Sequence, residues 1–296
     1  MENENLNGLI LLDKPKGFTS FKAAAAMRRI YGTKRVGHTG TLDPMATGVL
    51  PILIGRATRL CSFILEADKR YTATVKLGIT TDSLDITGEV LSKITPNVSD
   101  EQLNEALKHF TGTYDQIPPM FSAIKKDGVR LYELARKGEE IEREPRKITI
   151  FEINLLERQD DEFTIDVLCS KGTYIRSLAD DIGKFLGCGA CLTALRRTKT
   201  AQFVINDCAT LETIENEPDG KLLSPELAVS YLKEISLTAG QAKRFCNGAE
   251  LSFDRINCEN AVNGEIFRVK SNGKFLGLTE FKEETNSFYT KCVIER

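Results

Sequence analysis

The chain has 296 residues, enough for one large domain with an appendage or for two domains. Its 41% hydrophobic and 28% charged residues are those of an ordinary soluble globular protein, and a net charge of −2 argues, taken globally, against a nucleic-acid partner. The longest apolar runs, such as residues 8–12, are far too short to span a bilayer, so no membrane partner is expected.

In chain order, Met1-Glu2-Asn3-Glu4-Asn5 is acidic and polar, the opposite of a secretory signal, and a cytoplasmic address is expected. Residues 9–12 read as a short buried strand and residues 13–17 as a turn. Thr19 or Ser20 then caps a helix that runs through Phe21 and Met27 to about Tyr31, where Gly32 is a natural stop. Gly37-His38-Thr39-Gly40-Thr41-Leu42-Asp43-Pro44 is a loop dense with glycine and hydroxyls. An apolar run at 49–54 and a helix near 57–65 follow. Residues 70–77 alternate, with Tyr71, Ala73, Val75 and Leu77 on one face, which predicts a half-buried strand. Ser99-Asp100-Glu101-Gln102 is a capping box for a helix whose Leu103, Leu107 and Phe110 share a face.

Residues 118–147 open on Pro118-Pro119, hold a short helix at about 131–137 and carry eight basic and six acidic residues. They are too polar to bury and read as a mobile excursion from the core. Strands resume at 148–155 and 163–169. Lys171-Gly172-Thr173-Tyr174 leads into a helix with Ile175, Leu178, Ile182 and Phe185 at core spacing. The acidic stretch 207–226 reads as a loosely packed connection. Residues 237–296 are mostly strands, with 265–269 and 274–281 joined through Asn272-Gly273, a strong hairpin signal, and Cys292-Val293-Ile294 as a last strand. They form a small β-rich C-terminal domain after a first domain over 1–232.

Elimination narrows the chemistry. The eight cysteines are scattered and read as free thiols of a reducing compartment. Cys188 and Cys191 have the Cys-x-x-Cys spacing, but no second pair completes a zinc site, so both are taken as structural. Gly32 to Thr39 matches a phosphate-binding P-loop except that His38 stands where the lysine belongs, and no Gly-x-Gly-x-x-Gly follows a strand. Only two histidines exist, and His109 falls on an amphipathic helix as a surface residue, so a His-centred triad or metal site is nearly excluded. Carboxylate chemistry remains. Asp43, pushed out of the helical region by Pro44 and flanked by glycines, is suited to serve as nucleophile or base, although Asp-Pro alone reads as a tight turn. Charge is also uneven. Residues 1–72 carry a balance of +5 and residues 171–200 of +4, whereas 201–236 carry −5, so a positive face is masked in the total.

Several motifs in order carry a resemblance. Asp13 to Ser20, Gly37 to Pro44 with Ala46-Thr47-Gly48-Val49-Leu50, Lys69-Arg70-Tyr71, Thr81 to Gly88, Gly172 to Leu178 and Leu195-Arg196-Arg197-Thr198 resemble the motifs of the TruB-type tRNA pseudouridine-55 synthases. They cover residues 8 to about 200. Pro118 to Lys125 through Leu131 to Ala135 resembles the insertion of the bacterial stand-alone enzymes, which docks the T-loop arm, and residues 237–296 look like the family's PUA-type RNA-binding domain. One departure is Ala201-Gln202-Phe203, where the family commonly has Gly-Pro before the phenylalanine. That position bears on local loop shape.

The resemblance implies an α+β protein: a mixed or antiparallel-sheet pseudouridine synthase catalytic domain with a small PUA-like domain. It implies isomerisation of a T-loop uridine of tRNA to its C-glycoside by a monomer, without cofactor, metal or guide RNA. Asp43 is the essential carboxylate, acting by covalent attack or by removing a sugar proton. The base must be flipped out, at a cost of roughly a few kcal/mol, and His38 is suited to fill the vacated space. Tyr71 offers a ring for stacking and a hydroxyl that could move a proton. Arg176 is expected to pair with Asp43, the competing partner being Asp180 one turn on. Tyr174 and Leu195 match positions that hold the base, and Lys14 is expected to support the site or a phosphate. The alternative is a tRNA-binding folding factor that grips the T-arm without catalysis.

Overall fold

The computed structural model of the chain describes residues 6–126 and 128–295; Met1 to Asn5, from which a cytoplasmic address is expected, lie outside them. Apolar alternation builds its centre. Strands β1 (Gly8–Lys14), β2 (Val36–His38), β3 (Thr47–Ile54) and β4 (Lys69–Leu77) come from the first motifs. A side hairpin, β5 (Ile79–Thr81) with β6 (Val90–Lys93), is followed by β7 (Gly112–Gln116) and by a second small hairpin, β8 (Lys125–Lys126) with β9 (Val129–Arg130). Then come β10 (Arg146–Gln159), β11 (Glu162–Cys169), β12 (Ala190–Thr200) and β13 (Phe203–Val204). The main sheet runs β1-β3-β12-β4-β11-β10-β7, with β2 on β3 and β13 on β12. Every pairing in it is antiparallel except β3 with β12, where Arg196 faces Thr47 and Arg197 faces Gly48.

Three helices cover one face of this sheet: α1 (Ser20–Tyr31), α3 (Asp100–His109) and α5 (Ile175–Phe185), the short α2 (Cys61–Leu65) and α4 (Leu131–Ala135) lying elsewhere. The predicted caps form. Thr19 Oγ1 accepts from Lys22 N, Gly32 ends α1 at φ 59°, and Ser99 and Gln102 exchange the reciprocal bonds of a capping box. Strand β1 is buried on both faces: Ile10 and Leu12 join the helix-covered core, while Leu9 and Leu11 join a second cluster behind the sheet. The C-terminal sheet completes that second cluster. It contains β14 (Lys233–Ser236), β15 (Leu251–Ser252), β16 (Ile266–Ser271), β17 (Lys274–Lys282) and β18 (Ser287–Val293), in the order β14-β16-β17-β18-β15. Its Phe275, Leu278, Cys292 and Ile294 pack with Leu9, Leu11, Val49 and Leu53. This five-stranded sheet is consistent with a PUA-like unit.

Several local expectations are corrected. The acidic stretch 207–226 is not a loose connection. Leu9 and Leu223 exchange two backbone bonds of 2.9 Å, and Ala209 bonds to Leu11 and Asp13 on the same strand, so the stretch straps the outer edge of β1. Ile214 anchors it in the core, which its acidic neighbours hide from a reading of composition. Residues 233–236, left between the two expected domains, form β14, paired in parallel with β16. The helix expected near 57–65 begins as a 3-10 turn over Gly55–Leu60 before α2. Phe185 is 43% exposed rather than core, its ring 4.6 Å from that of His109. The excursion 118–147 is polar at its tip, but Met120, Ser122 and Leu131 are buried at its root.

Candidate active site

The Asp43 loop joins β2 to β3 and is fixed from both sides. Ser20 Oγ accepts from Leu42 N at 2.8 Å, Gly17 N donates to Pro44 O at 2.7 Å, and Thr39 N donates to Pro51 O at 3.0 Å. Ala46 N closes a turn onto Asp43 O at 3.0 Å, with Pro44 in the position that suits its fixed φ. The loop therefore presents the Asp43 carboxylate, its side chain 33% exposed, from a backbone that is tied down.

Arg176, in the first turn of α5, meets that carboxylate with two nitrogens. Nε lies 2.9 Å from Oδ2 and Nη2 3.2 Å from Oδ1. The same guanidinium donates to Ser83 O at 2.9 Å and to Phe121 O at 2.7 Å, and Asp85 Oδ2 sits 3.7 Å from Nη1. With its side chain 5% exposed and four of its five N–H groups bonded, the fork is held in one orientation. Asp180, the competing partner, pairs instead with Lys184 at 2.6 Å. Burial pushes the Asp43 carboxyl above its ordinary value, Arg176 pulls it down, Asp85 adds to the rise and Lys14 opposes it.

Asp85 and Phe121 had no role in the sequence reading, yet both set Arg176. Asp85 is buried in the Thr81 to Gly88 motif, where its Oδ1 accepts from Ser83 Oγ, Thr87 N and Thr87 Oγ1. Gly88 permits this turn, because a Cβ there would lie 2.2 Å from Asp82 Oδ1. The signal was the motif itself, six polar or glycine positions in eight residues with no local reason to be so polar. Phe121 contributes only a backbone oxygen, which no side-chain pattern reveals.

Tyr71 is buried on β4, and burial raises its hydroxyl's pKa while Arg197 beside it acts in the opposite direction. Arg197 is directly opposite Tyr71 on β12, so the two side chains share a face of the sheet. His38 ends β2 with its Nδ1 buried, and burial followed by Arg197 lowers its pKa, so it is neutral at pH 7. Tyr174 is the residue before α5. The Gln116 side chain clamps its backbone from both sides, accepting from Tyr174 N at 2.8 Å and donating to Tyr174 O at 3.1 Å. Leu195 is buried on β12 opposite Ala73, and Lys14 is fully buried at the end of β1. Electrostatic coupling links Asp43 with Arg176, Asp85, Lys14, Tyr71 and Tyr174. Cys188 and Cys191 are buried, and burial, with Asp85 adding to it, pushes the Cys191 thiol up to about 11.

Residues 28–175 match the TruB family pseudouridylate synthase N-terminal domain, and residues 176–228 match the tRNA pseudouridylate synthase B C-terminal domain. A tRNA pseudouridine synthase B of Azoarcus sp. (strain BH72) is 44% identical over 281 residues, covering 94% of this chain and 92% of that protein. One from Clostridium perfringens (strain SM101 / Type A) is 42% identical over 294 residues, 98% of this chain and 100% of that protein. Among solved structures, a Cbf5-Nop10-Gar1 complex aligns with a TM-score of 0.75 and 26% identity, over 97% of this chain and 84% of the matched one. An archaeal box H/ACA Nop10-Cbf5 complex aligns at 0.73 and 25%, over 98% and 87%.

Proposed function

Since this chain belongs to the TruB family of pseudouridine synthases, an isomerase family whose relatives here are named for tRNA, we propose that it converts the T-loop uridine at position 55 of tRNA to pseudouridine, with Asp43 as the essential carboxylate. The observation that carries the reading is the paired geometry of Asp43 and Arg176: a partly exposed carboxylate, gripped at 2.9 and 3.2 Å by a guanidinium that is itself buried and fixed by two main-chain carbonyls.

The chemistry follows from these parts. The target base is extruded from the folded RNA, at roughly a few kcal/mol, and enters beside Tyr71, whose ring is the stacking surface. His38, neutral and at the rim of the loop, fills the space the base leaves. Arg176 keeps the Asp43 carboxylate ionised and aimed at the sugar, where it attacks C1′ or removes the C2′ proton. Tyr174 and Leu195 hold the detached base while it turns and rejoins through carbon. The reaction is an isomerisation, so no cofactor enters the proposal, nor does a guide RNA. The protein acts as a monomer in the cytoplasm. The 118–147 segment docks the T-arm, its root already bound to the site through Phe121, and the C-terminal sheet grips RNA beyond it.

Tritium release from a tRNA transcript carrying [5-³H]uridine tests this directly. Asp43→Asn keeps shape and removes charge, so turnover should vanish while tRNA affinity stays within about tenfold, or 1.4 kcal/mol. Substantial release by the Asn variant would remove Asp43 from the mechanism. Binding without release by the wild-type chain would leave the folding-factor reading in its place.

A further inference from the structure

Arg197 and Lys14 are buried cations that form no ion pair among the described residues. Arg197 is 1% exposed and donates to two main-chain carbonyls, Val49 O at 2.8 Å and Gly40 O at 3.0 Å. Lys14 Nζ donates to Pro15 O at 3.0 Å and Phe18 O at 2.6 Å. Burying charge without a counter-charge is costly, and a fold retains such charge where something else uses it. Lys14 registers the cost: burial, with Arg197 adding to it and Asp43 opposing, takes its pKa down to about 8.

Around Arg197 and Lys14 stand His38 on β2, Asp43 in its loop, Lys69 and Tyr71 on β4 and Cys169 on β11, with the Arg176–Asp85 contact beyond Asp43. His38, Tyr71 and Cys169 are neutral at pH 7. Lys69, also buried, donates to Leu65 O at 2.6 Å and to Ala67 O and likewise forms no ion pair among the described residues, with the weak pull of Asp68 and Glu66 on its outer side. Asp43 and Asp85 both face Arg176. Arg197, across the strand from Tyr71, and Lys14, which feels the charge of Asp43, are therefore the buried positive charges set beside the two groups that meet the base and the sugar.

We infer that Arg197 and Lys14 supply a standing positive field that stabilises the base as it leaves the sugar as a uracil anion. The inference rests on the function proposed above. When the C1′–N1 bond breaks, its electron pair goes to N1 and the charge spreads to the carbonyl oxygens. Whether Asp43 bonds to C1′ or takes the C2′ proton, the base departs as the same anion. The charge is cancelled when C5 bonds to C1′ as the Asp43 carboxylate leaves C1′, or as it returns its proton to C2′; the C5 proton is then released and N1 takes one up. Cations fixed by carbonyls need no reorganisation as that charge appears, which is the condition for strong electrostatic catalysis. Neither group touches the reacting atoms, so both are positioning residues acting through space and through Tyr71.

The test compares two tRNA transcripts in single turnover, one containing uridine and one 5-fluorouridine, read as loss of the parent nucleoside after digestion and mass spectrometry; C5 of the fluoro base has no proton to release, so its C5–C1′ product keeps the fluorine and takes up water, OH at C6 and H at N1. 5-Fluorouracil is the stronger N–H acid, so its anion departs with less help. Arg197→Met should slow uridine conversion by about 10²–10³-fold, the loss seen when one oriented donor is removed from an anion site, and slow 5-fluorouridine at least tenfold less. Lys14→Met removes a charge whose burial opposes folding and should show the same compression if Arg197→Met does not fold. Arg197→Lys, which keeps the charge, should keep the wild-type ratio between substrates. Equal losses on both substrates in Lys14→Met, or no loss on either, overturn the inference while the function stands. A wild-type chain that converts neither RNA overturns the function, and the inference with it.

Discussion

Replacing Arg176 with lysine tests the link between the geometry of the site and its pH dependence. The guanidinium bonds both oxygens of Asp43 and the carbonyls of Ser83 and Phe121 at once. A lysine ammonium is a point charge that cannot span those four acceptors. Asp43 therefore loses at least one charge-assisted bond, worth about 1.5–3 kcal/mol, which corresponds to about one to two pH units. Burial already raises the Asp43 carboxyl, and Arg176 is the largest influence holding it down. Weakening that influence moves the carboxyl further up, so the ionised, active form is reached at higher pH. The acid limb of single-turnover rate against pH should shift up by about one to two units, and the defect should be larger at pH 6 than at pH 8. The two abandoned carbonyls add about 1–3 kcal/mol each of lost stability, read from a urea melt. A variant with a near-normal rate and an unmoved acid limb would show that Arg176 does not govern Asp43.

Gly48 has φ +104°, and a Cβ there would lie 2.2 Å from the Arg197 carbonyl oxygen. Gly48→Ala should cost about 3 kcal/mol or more by pushing β3 off β12, and a near-neutral urea midpoint would mean that this joint is slack. Burial, with like charge from Asp180, pushes Asp181 up to about 6 against the pull of Lys184. The folded chain then holds a proton that the unfolded chain releases between about pH 4 and 6, so stability falls as pH rises through that window. Asp181→Asn should gain about 1–2 kcal/mol at pH 7 and nothing near pH 3.5; an equal gain at both would rule the explanation out. Deleting residues 233–296 strips Phe275, Leu278 and Ile294 from Leu9, Leu11 and Val49. The remaining chain should melt lower and self-associate, and a monomer with an unchanged melting temperature on calorimetry and size exclusion would contradict a shared core.

What the sequence determined by itself was local and periodic. Alternation from Tyr71 to Leu77 required a strand with one buried face, and Thr19 with Gly32 bounded a helix because backbone groups at its ends need those partners. Asn272-Gly273 turned a hairpin because both residues accept positive φ. The order of the motifs named a family and brought Asp43 forward. Tertiary structure decided the pairings. Arg176 had a carboxylate one turn away in its own helix and another 133 residues distant, and the distant one won because α5 aims that side chain inward, onto the Asp43 loop. Arg196 and Arg197 read identically in sequence, yet one reaches Asp13 at the sheet edge while the other is buried behind Tyr71, because adjacent strand residues face opposite sides. The acidic strap over β1 was hidden for a related reason. Composition averages over a segment, whereas packing selects single residues such as Ile214 and the backbone of Leu223. Periodicity records which face of an element is apolar. Which charges meet, and which lose their water, depends on distances between segments far apart in the chain, and only the folded arrangement sets those.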